Sequence, residues 1–401
     1  MNSIWKFATA ANVHFGRGSR NRLAAELNVL GGKRPMVITD NVLTNLPLVA
    51  EAIDSLRIAG MDVQVFTDGE PEPAVEVACS ASAMAVEHKA DVVIGIGGGS
   101  NLDVAKVTAV VLRYGGQPQD YFGFDAVPGP VPPLIALPTT AGTGSEVSHS
   151  AVLTDQTQNT KVSMLSRWLR PSVAIVDPAF TDSCPPSVTG QSGIDALVHA
   201  IEAFTNRPND SMEGVDQQAR AYEGSYRLTG LLATEAIRLI GANLATVVTQ
   251  PNNNAARDAM AEASMLAGMA FSNSGVGIVH ALEYPIGALT HCGHGEGNGL
   301  LLPHVMRYNL EHCRVEFAEI ARLLGESSQE MGDGEASEAA IDAVEKLQRA
   351  AGIKTKLADL GLNKDQIPSV ASVAIKIRRL MDLNRRPPSE SDLVEILEAA
   401  F

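Results

Sequence analysis

Short apolar runs rich in β-branched residues alternate with helix-like stretches from the amino terminus to about residue 185. Such alternation is typical of βαβ units, in which each helix crosses between two strands of a parallel sheet. The apolar runs predict strands at 36–40, 62–66, 92–96, 134–137 and 173–177. The stretches between them predict helices at 46–59, 73–89 and 102–112. The first part of the chain is therefore expected to be an α/β domain with a mostly parallel sheet.

This pattern changes after the sequence Cys184-Pro185-Pro186. From there to Phe401, Ala, Leu, Ile, Glu and Arg recur at helical spacing, which predicts an all-α second domain. Segments 250–254 and 325–337 are poor in apolar residues and are expected to be loops. A chain of 401 residues is long enough for two domains, and we predict domains at 1–185 and 186–401.

Composition excludes several classes of function. Apolar residues make up 45% of the chain and charged residues 19%, without a long uninterrupted apolar run, so neither a disordered chain nor a membrane protein is expected. The net charge of −15 argues against nucleic acid as a partner. The four cysteines are scattered, which favours reduced thiols. Because the amino terminus does not resemble a secretory signal peptide, we predict a cytoplasmic location.

A glycine triplet lies between a predicted strand and a predicted helix in the segment DVVIGIGGGSNLDVAK. Gly98, Gly99 and Ser100 would let the backbone approach a pyrophosphate, and the free amides at the helix start favour an anion. The segment therefore indicates a Rossmann-like nucleotide site, although a tight strand-to-helix turn has the same composition. Asp103 either bonds a cofactor hydroxyl or caps this helix.

Two further segments are consistent with a dinucleotide. Asp40 ends an early strand, where a carboxylate can bond the adenosine ribose and repel a 2′-phosphate, so NAD is favoured over NADP; the alternative is a cap on the next helix. The segment LPTTAGTGSEVS places Thr139, Thr140 and Thr143 around two glycines. Hydroxyls and open amides there suit ribose and phosphate, although a plain turn would look similar.

Four histidines and an aspartate form a candidate metal site. Asp195 and His199 are four residues apart in a helical stretch, so their side chains share one helix face. His280, His291 and His294 follow in a second short segment. Imidazole with carboxylate suits Fe(II), Zn(II) or a similar divalent ion. A buried core histidine, or a local bond between Asp195 and His199, is the structural alternative.

Taken together, GGGSNLDVAK, LPTTAGTGSEVS, GIDALVHAIEAF and AFSNSGVGIVHALEYPIG…HCGHGEGNG resemble the iron-containing (group III) alcohol dehydrogenase family, in order and over most of the chain. The resemblance implies an amino-terminal NAD domain, a helical metal domain and a substrate cleft between them. It implies as metal ligands Asp195, His199, His280 and His294, with His291 as an accessory neighbour. It implies as cofactor contacts Asp40, Gly98, Gly99, Ser100, Thr139, Thr140, Thr143 and Lys161, the last in the strand after the second loop. His149 and Phe271 would line the substrate pocket.

The chain departs from the family pattern at two positions. Tyr284 stands where many members carry a histidine near the nicotinamide, so Tyr284 or His291 is a candidate for the proton relay. Glu72 stands where members often carry a cofactor-binding asparagine, which puts that contact in doubt. Glu202, one turn after His199, is expected to face solvent; the alternative is that it orients an imidazole.

The resemblance implies hydride transfer between nicotinamide and a small alcohol or carbonyl compound, with iron(II) as the expected metal and zinc(II) as the alternative. Other reactions on the same fold stay open: a hydroxyacid-oxoacid transhydrogenase, a zinc polyol (glycerol-type) dehydrogenase and an NAD-assisted cyclising lyase. A nucleotide-binding or filament-forming protein with a decayed site is the non-enzymatic alternative. Family members commonly form homodimers or larger homo-oligomers, and we expect the same here.

Overall fold

The structure is a computed structural model that describes residues 4–157, 160–212, 220–326 and 331–401. The chain divides into two compact units. One unit is Thr9–Cys184, and the other is Pro185–Phe401 together with the amino-terminal residues up to Ala8.

The first unit is built on a six-stranded sheet in which every described pairing is parallel. Its strands are β1 (Asn12–Phe15), β2 (Pro35–Ile38), β3 (Gln64–Phe66), β4 (Val92–Gly97), β6 (Leu134–Pro138) and β9 (Val173–Val176), in the spatial order β1-β9-β6-β4-β2-β3. Its helices are α1 (Leu23–Val29), α2 (Pro47–Ile58), α3 (Val75–Glu87) and α4 (Gly99–Tyr114). The predicted α/β class, the five strands and the three helices are confirmed. The edge strand β1 was not predicted.

Helices cover both faces of this sheet. Met36 and Ile38 of β2 belong to the core formed with α3 and α4. Val37, between them, points to the opposite face and packs in the core formed with α1 and α2. Because strand side chains alternate between faces, a strand buried on both faces reads as a continuous apolar run.

A small second sheet in this unit was also missed. It contains β5 (Gly123–Phe124), β7 (Ser150–Asp155) and β8 (Thr160–Leu165), in the order β5-β8-β7, with β7 and β8 antiparallel. Its residues are partly polar because β7 and β8 are only partly buried, so they lack the apolar runs that mark the main sheet. Lys161 lies in β8, which is the second strand after the hydroxyl-rich loop LPTTAGTGSEVS. The resemblance had implied a place in the first strand after that loop.

The second unit is helical, as predicted, and no β-strand lies among its described residues. Its helices are α5 (Pro186–Thr205), α6 (Arg227–Thr249), α7 (Asn254–Ser274), α8 (Ile278–Thr290), α9 (His294–Asn309), α10 (Arg314–Leu323), α11 (Asp333–Ala350), α12 (Ile367–Ala374), α13 (Arg378–Met381) and α14 (Glu390–Ala399). A turn separates α6 from α7 within the predicted loop 250–254. The predicted loop 325–337 is wrong from Asp333 onward, because Ala336 and Ala340 bury one face of α11 beneath a polar outer face. Residues 327–330 of that loop lie outside the described residues.

By length and composition alone, α6 is long and apolar enough to cross a membrane. Helices α7 and α8 are long and apolar enough only when taken together, and they are sharply bent where they meet. However, α6 packs against α5 and α7 through buried residues that include Ala233, Ile237 and Leu244. Its outer face carries the exposed ion pair between Glu235 and Arg238. We therefore interpret α6 as a core helix of a globular bundle.

Candidate functional site

Four side chains of the helical unit converge on one point. Asp195 and His199 lie on α5, His280 lies on α8, and His294 is the first residue of α9. One potential ligand atom from each residue lies within 4.8 Å of the corresponding atoms of the others. The structure thus brings together the four residues that the sequence predicted as ligands.

The close approach of α9 to α5 depends on Gly295. A Cβ atom at this position would lie 2.1 Å from the backbone oxygen of Gln191 and 3.1 Å from the Cβ of Asp195. Only glycine permits this contact, since real Cβ atoms do not approach a backbone oxygen so closely. The glycine after His294 therefore allows that histidine to reach the α5 pair.

Glu202 of α5 orients His280. Its Oε2 accepts a hydrogen bond of 2.6 Å from His280 Nδ1, and its Oε1 accepts one of 2.8 Å from the backbone N–H of Val279 at the start of α8. The prediction that Glu202 faces solvent was wrong, because the residue is only 5% exposed. With Nδ1 donating to Glu202, His280 presents Nε2 as an acceptor or ligand.

Glu283 of α8 plays the same part for His294, and sequence reasoning missed it. Its Oε2 accepts a hydrogen bond of 2.6 Å from His294 Nδ1, and the residue is fully buried. Asn298, one turn after His294, donates to Asp195 Oδ1 over 2.8 Å. The sequence signal that could have identified Glu283 is its position inside the apolar run IVHALEYPIGAL, because buried carboxylates require partners.

The electrostatics of the cluster favour an ionised aspartate. Burial by itself raises the pKa of Asp195, but the imidazoles of His199, His294 and His280 and the hydrogen bond from Asn298 outweigh it and hold the pKa below its usual range. His199 stacks on Phe271, with 4.3 Å between ring centroids, and on His280, with 4.7 Å. Phe271, predicted as a pocket residue, therefore forms one wall of the cluster.

These residues fit a divalent metal ion. His280 Nε2 is buried and has no hydrogen-bond partner among the described residues. A buried polar atom in that state costs free energy unless a ligand satisfies it. One carboxylate and three imidazoles, without thiolate, are the donor set that suits iron(II) or zinc(II).

The two candidates for the proton relay differ in position. Tyr284 is half-buried, and its ring centroid lies 6.4 Å from that of His294. His291 is exposed and ends α8 in the left-handed conformation, with φ of 54°. The structure places Tyr284 beside the cluster, whereas His291 is not among the converging side chains.

In the α/β unit, the two predicted cofactor loops lie against each other. Gly98 is the N-cap of α4, and Gly99 and Ser100 are its first residues. A Cβ atom on Gly99 would lie 2.7 Å from Thr143 Cγ2, and one on Gly98 would lie 3.6 Å from the Thr140 side chain. Thr139 joins the loops through its backbone N–H, which donates to Gly97 O over 2.9 Å. Open amides and hydroxyls thus gather at the start of α4, where an anion is favoured.

Two acidic residues near these loops have structural partners. Asp40 Oδ1 accepts hydrogen bonds of 2.9 Å from the backbone N–H groups of Val42 and Leu43, and Oδ2 accepts one of 2.8 Å from Asn101. Asp40 therefore closes the turn before the short 3-10 helix Leu43–Asn45 and does not cap α2, and its contact with ribose stays a prediction. Asp103 does not cap α4, because it lies in the second turn and its carboxylate is bonded to other elements.

The departure at Glu72 changes the surroundings of Lys161. The Lys161 ammonium lies 2.8 Å from Glu72 Oε2, and the lysine side chain is only 5% exposed. Glu72 itself has a φ of 50°, a backbone conformation that a residue with a Cβ rarely adopts. His149, a predicted pocket residue, is buried in the turn before β7. The cofactor and substrate roles of Lys161 and His149 stay predictions.

Comparison with known proteins supports the resemblance drawn from the motifs. The sequence model of the iron-containing alcohol dehydrogenases matches residues 10–178, and that of the carboxyl-terminal region of the same family matches residues 189–401. Long-chain-alcohol dehydrogenase 1 of Geobacillus thermodenitrificans (strain NG80-2) is 39% identical, covering 97% of this chain and 94% of its own. The NAD-dependent methanol dehydrogenase of Bacillus methanolicus is 34% identical, covering 96% and 97%. A crystal structure of a 1,3-propanediol oxidoreductase superposes with a TM-score of 0.93 at 34% identity and covers both chains completely.

Proposed function

The chain belongs to the iron-containing alcohol dehydrogenase family, and from that premise we propose that it interconverts a small alcohol and the corresponding aldehyde or ketone with NAD(H). The observation that carries the proposal is the convergence of Asp195, His199, His280 and His294 within 4.8 Å of one another. Related enzymes act on long-chain alcohols, methanol and 1,3-propanediol, which supports an alcohol or aldehyde as the substrate class.

We assign the metal to the four converging side chains, with iron(II) as the first candidate and zinc(II) as the second. When bound, the ion would supply Lewis-acid chemistry to the oxygen of the substrate. Glu202 and Glu283 fix the orientation of His280 and His294 through their Nδ1 atoms, so each Nε2 atom carries a lone pair that could bind the metal. The Nε2 atom of His294 lies 3.1 Å from Asn298 Nδ2, a contact that a bound metal would replace. Phe271 stacks on His199 and covers one face of that ring.

The dinucleotide is assigned to the start of α4 in the other unit. When bound, the cofactor would supply hydride chemistry, with NAD as the acceptor and NADH as the donor. The N–H groups of Gly99 and Ser100 would bind its pyrophosphate, and the hydroxyls of Thr139, Thr140 and Thr143 would bond phosphate and ribose. We propose NAD in preference to NADP, because Asp40 would repel a 2′-phosphate. The NAD dependence of the methanol dehydrogenase relative supports this choice.

The chain itself must also move a proton to or from the substrate oxygen. We assign this role to the hydroxyl of Tyr284, because its ring is beside His294, whereas His291 is exposed. We further propose that the protein acts in the cytoplasm as a homo-oligomer.

The proposed function is tested by substituting one predicted metal ligand on α5 and one on α8. Asp195→Ala and His280→Ala should each lose bound metal and NADH-dependent reduction of short-chain aldehydes. Asp342→Ala, at an exposed position of α11, is the control and should retain both. Full metal content and full activity in both ligand variants would refute the assignment.

The wild-type protein should be assayed with a panel of alcohols and aldehydes, with NAD and NADP, after separate loading with iron and zinc. Net formation of NADH from simple alcohols is the expected result. Turnover only with a paired oxoacid, without net reduction of added NAD, would instead indicate a transhydrogenase.

A further inference from the structure

A lysine is completely buried beneath the second cofactor loop. Lys106 is in the third turn of α4 and has no exposed surface. Its ammonium donates hydrogen bonds to Ser145 Oγ over 2.7 Å, to Ser148 Oγ over 3.0 Å and to the backbone oxygen of Ser150 over 2.7 Å. All three acceptors belong to one short segment of the chain, and they use all three ammonium protons.

Asp103, one turn earlier on the same face of α4, grips the same segment. Its Oδ1 accepts a hydrogen bond of 2.7 Å from Ser145 Oγ, and its Oδ2 accepts one of 2.8 Å from the backbone N–H of Val152. The Lys106 ammonium lies 3.8 Å from Asp103 Oδ1. A cation and an anion of one helix therefore hold residues 145–152 at four points.

The held segment continues directly from the hydroxyl-rich loop. Thr143 and Ser145 are separated only by Gly144, which adopts the left-handed conformation with φ of 59°. Thr143 itself packs against Gly99, where it leaves no room for a Cβ. Because glycine-containing loops have little conformational preference of their own, the position of Thr143 depends on what holds the chain on either side.

An apolar side chain of the same length would fill this site without the cost of desolvating a charge. Buried ionic groups often contribute little net stability, so their value has to be sought in the arrangement that they specify. Lys106 is suited to that purpose, since its three bonds go to three different residues of the loop.

We propose that Lys106, assisted by Asp103, is a positioning residue that sets the affinity for the dinucleotide by holding residues 139–150 against the start of α4. The inference rests on the proposed function, because it takes this loop to be a cofactor loop. Lys106 is fully buried beneath the loop, so its effect on the cofactor is transmitted through Ser145 and Ser148.

The test compares Lys106→Met with the wild type and with Lys346→Met, a control on the exposed face of α11. NADH affinity is measured by fluorescence titration, and KM for NAD, kcat at saturating NAD and metal content are measured on the same samples. Lys106→Met should raise the Kd for NADH and KM for NAD by about tenfold or more, because several charge-assisted bonds are lost. We expect kcat to change by less than about threefold and metal content to stay the same, since the substrate chemistry is unaltered.

Each outcome decides one question. Wild-type protein that does not bind NADH would overturn the proposed function. If the wild type binds NADH and a folded Lys106→Met variant has the same Kd, or loses kcat without a change in Kd, the positioning role is wrong. Should Lys106→Met fail to fold, Ser148→Ala decides, because it removes a single acceptor: a raised Kd supports the role and an unchanged Kd overturns it.

Discussion

Replacing Glu202 by glutamine tests how the metal site is built. The carboxylate accepts two hydrogen bonds, one from His280 Nδ1 and one from the backbone N–H of Val279. The two bonds go to different oxygens, and in glutamine one of these positions becomes an NH2 group that cannot accept a hydrogen bond. One buried N–H group must then lose its acceptor, and the charge that polarises His280 is removed as well.

The expected size of the effect follows from these two bonds. Leaving a buried donor unsatisfied costs about 1–3 kcal/mol. Loss of a carboxylate behind a metal-binding histidine typically lowers metal affinity by about 10–100-fold, which corresponds to roughly 1.4–2.8 kcal/mol of binding free energy. We therefore predict that Glu202→Gln raises the metal Kd by about 10–100-fold. The metal-free protein should also lose about 1 kcal/mol of unfolding free energy, because Glu202 caps α8.

The assay is anaerobic competition for iron(II), and separately for zinc(II), against a chelator of known affinity. Far-UV circular dichroism establishes that the variant is folded. Glu235→Gln is the matched control, because it makes the same chemical change on the outer face of α6, where Glu235 pairs with the exposed Arg238. A folded Glu202→Gln variant that binds both metals with the wild-type Kd would refute the argument that this carboxylate supports His280.

Three further predictions concern the cofactor, the proton and pH. Asp40→Asn should lower the preference for NAD over NADP, measured as the ratio of kcat/KM values, by about tenfold or more, because the charge that repels a 2′-phosphate is lost; an unchanged ratio would contradict this. Tyr284→Phe should lower kcat on the order of a hundredfold with metal content unchanged, whereas His291→Ala should leave kcat within about twofold; the reverse ranking would assign the relay to His291. Burial raises the pKa of Glu146 from 4.5 to about 7, so the folded protein binds the extra proton in this range and the free energy of unfolding should fall as pH rises through it. Burial lowers the pKa of Lys106 from 10.5 to about 8, so the free energy of unfolding should rise as pH increases from about 8 to 10.5. Urea unfolding from pH 5 to 10 should show the free energy of unfolding falling between pH 5 and about 7 in the wild type but not in Glu146→Gln. The same pH dependence in both proteins over this range would count against a buried, protonated Glu146.

Local patterns were sufficient to predict most of the fold. The main strands are buried on both faces, so each appears in the sequence as an apolar run, and the helices after residue 185 show their buried stripe. Strands β1, β7 and β8 are partly exposed, so none of them shows such a run. The start of α11 was missed for a related reason, since its polar outer face outweighs its buried alanines in composition.

The candidate site, like the fold, was only partly predictable from local patterns in the sequence. Asp195 and His199 could be paired from their spacing, because four residues on a helix return to the same face. Residue type also indicated His280, His291 and His294, since histidine and carboxylate are the groups that bind such metals, and the family resemblance selected His280 and His294 among them. Nothing local, however, pairs Glu202 with His280 on a different helix, or Glu283 with His294 on the next. In both cases the glutamate bonds a histidine other than the one a turn before it on its own helix.

The sequence by itself determined which chemical groups are present and on which local element each one lies, because periodicity and residue type are properties of short segments. Only the tertiary structure decided which partner each group meets. It brought Glu202 to His280, bonded Asp103, expected either to contact a cofactor hydroxyl or to cap α4, to Ser145 and Val152, and placed Lys106 beneath residues 145–150. The physical reason is that these contacts join segments distant in the chain, and the choice among buried partners is made by the packing of the whole domain.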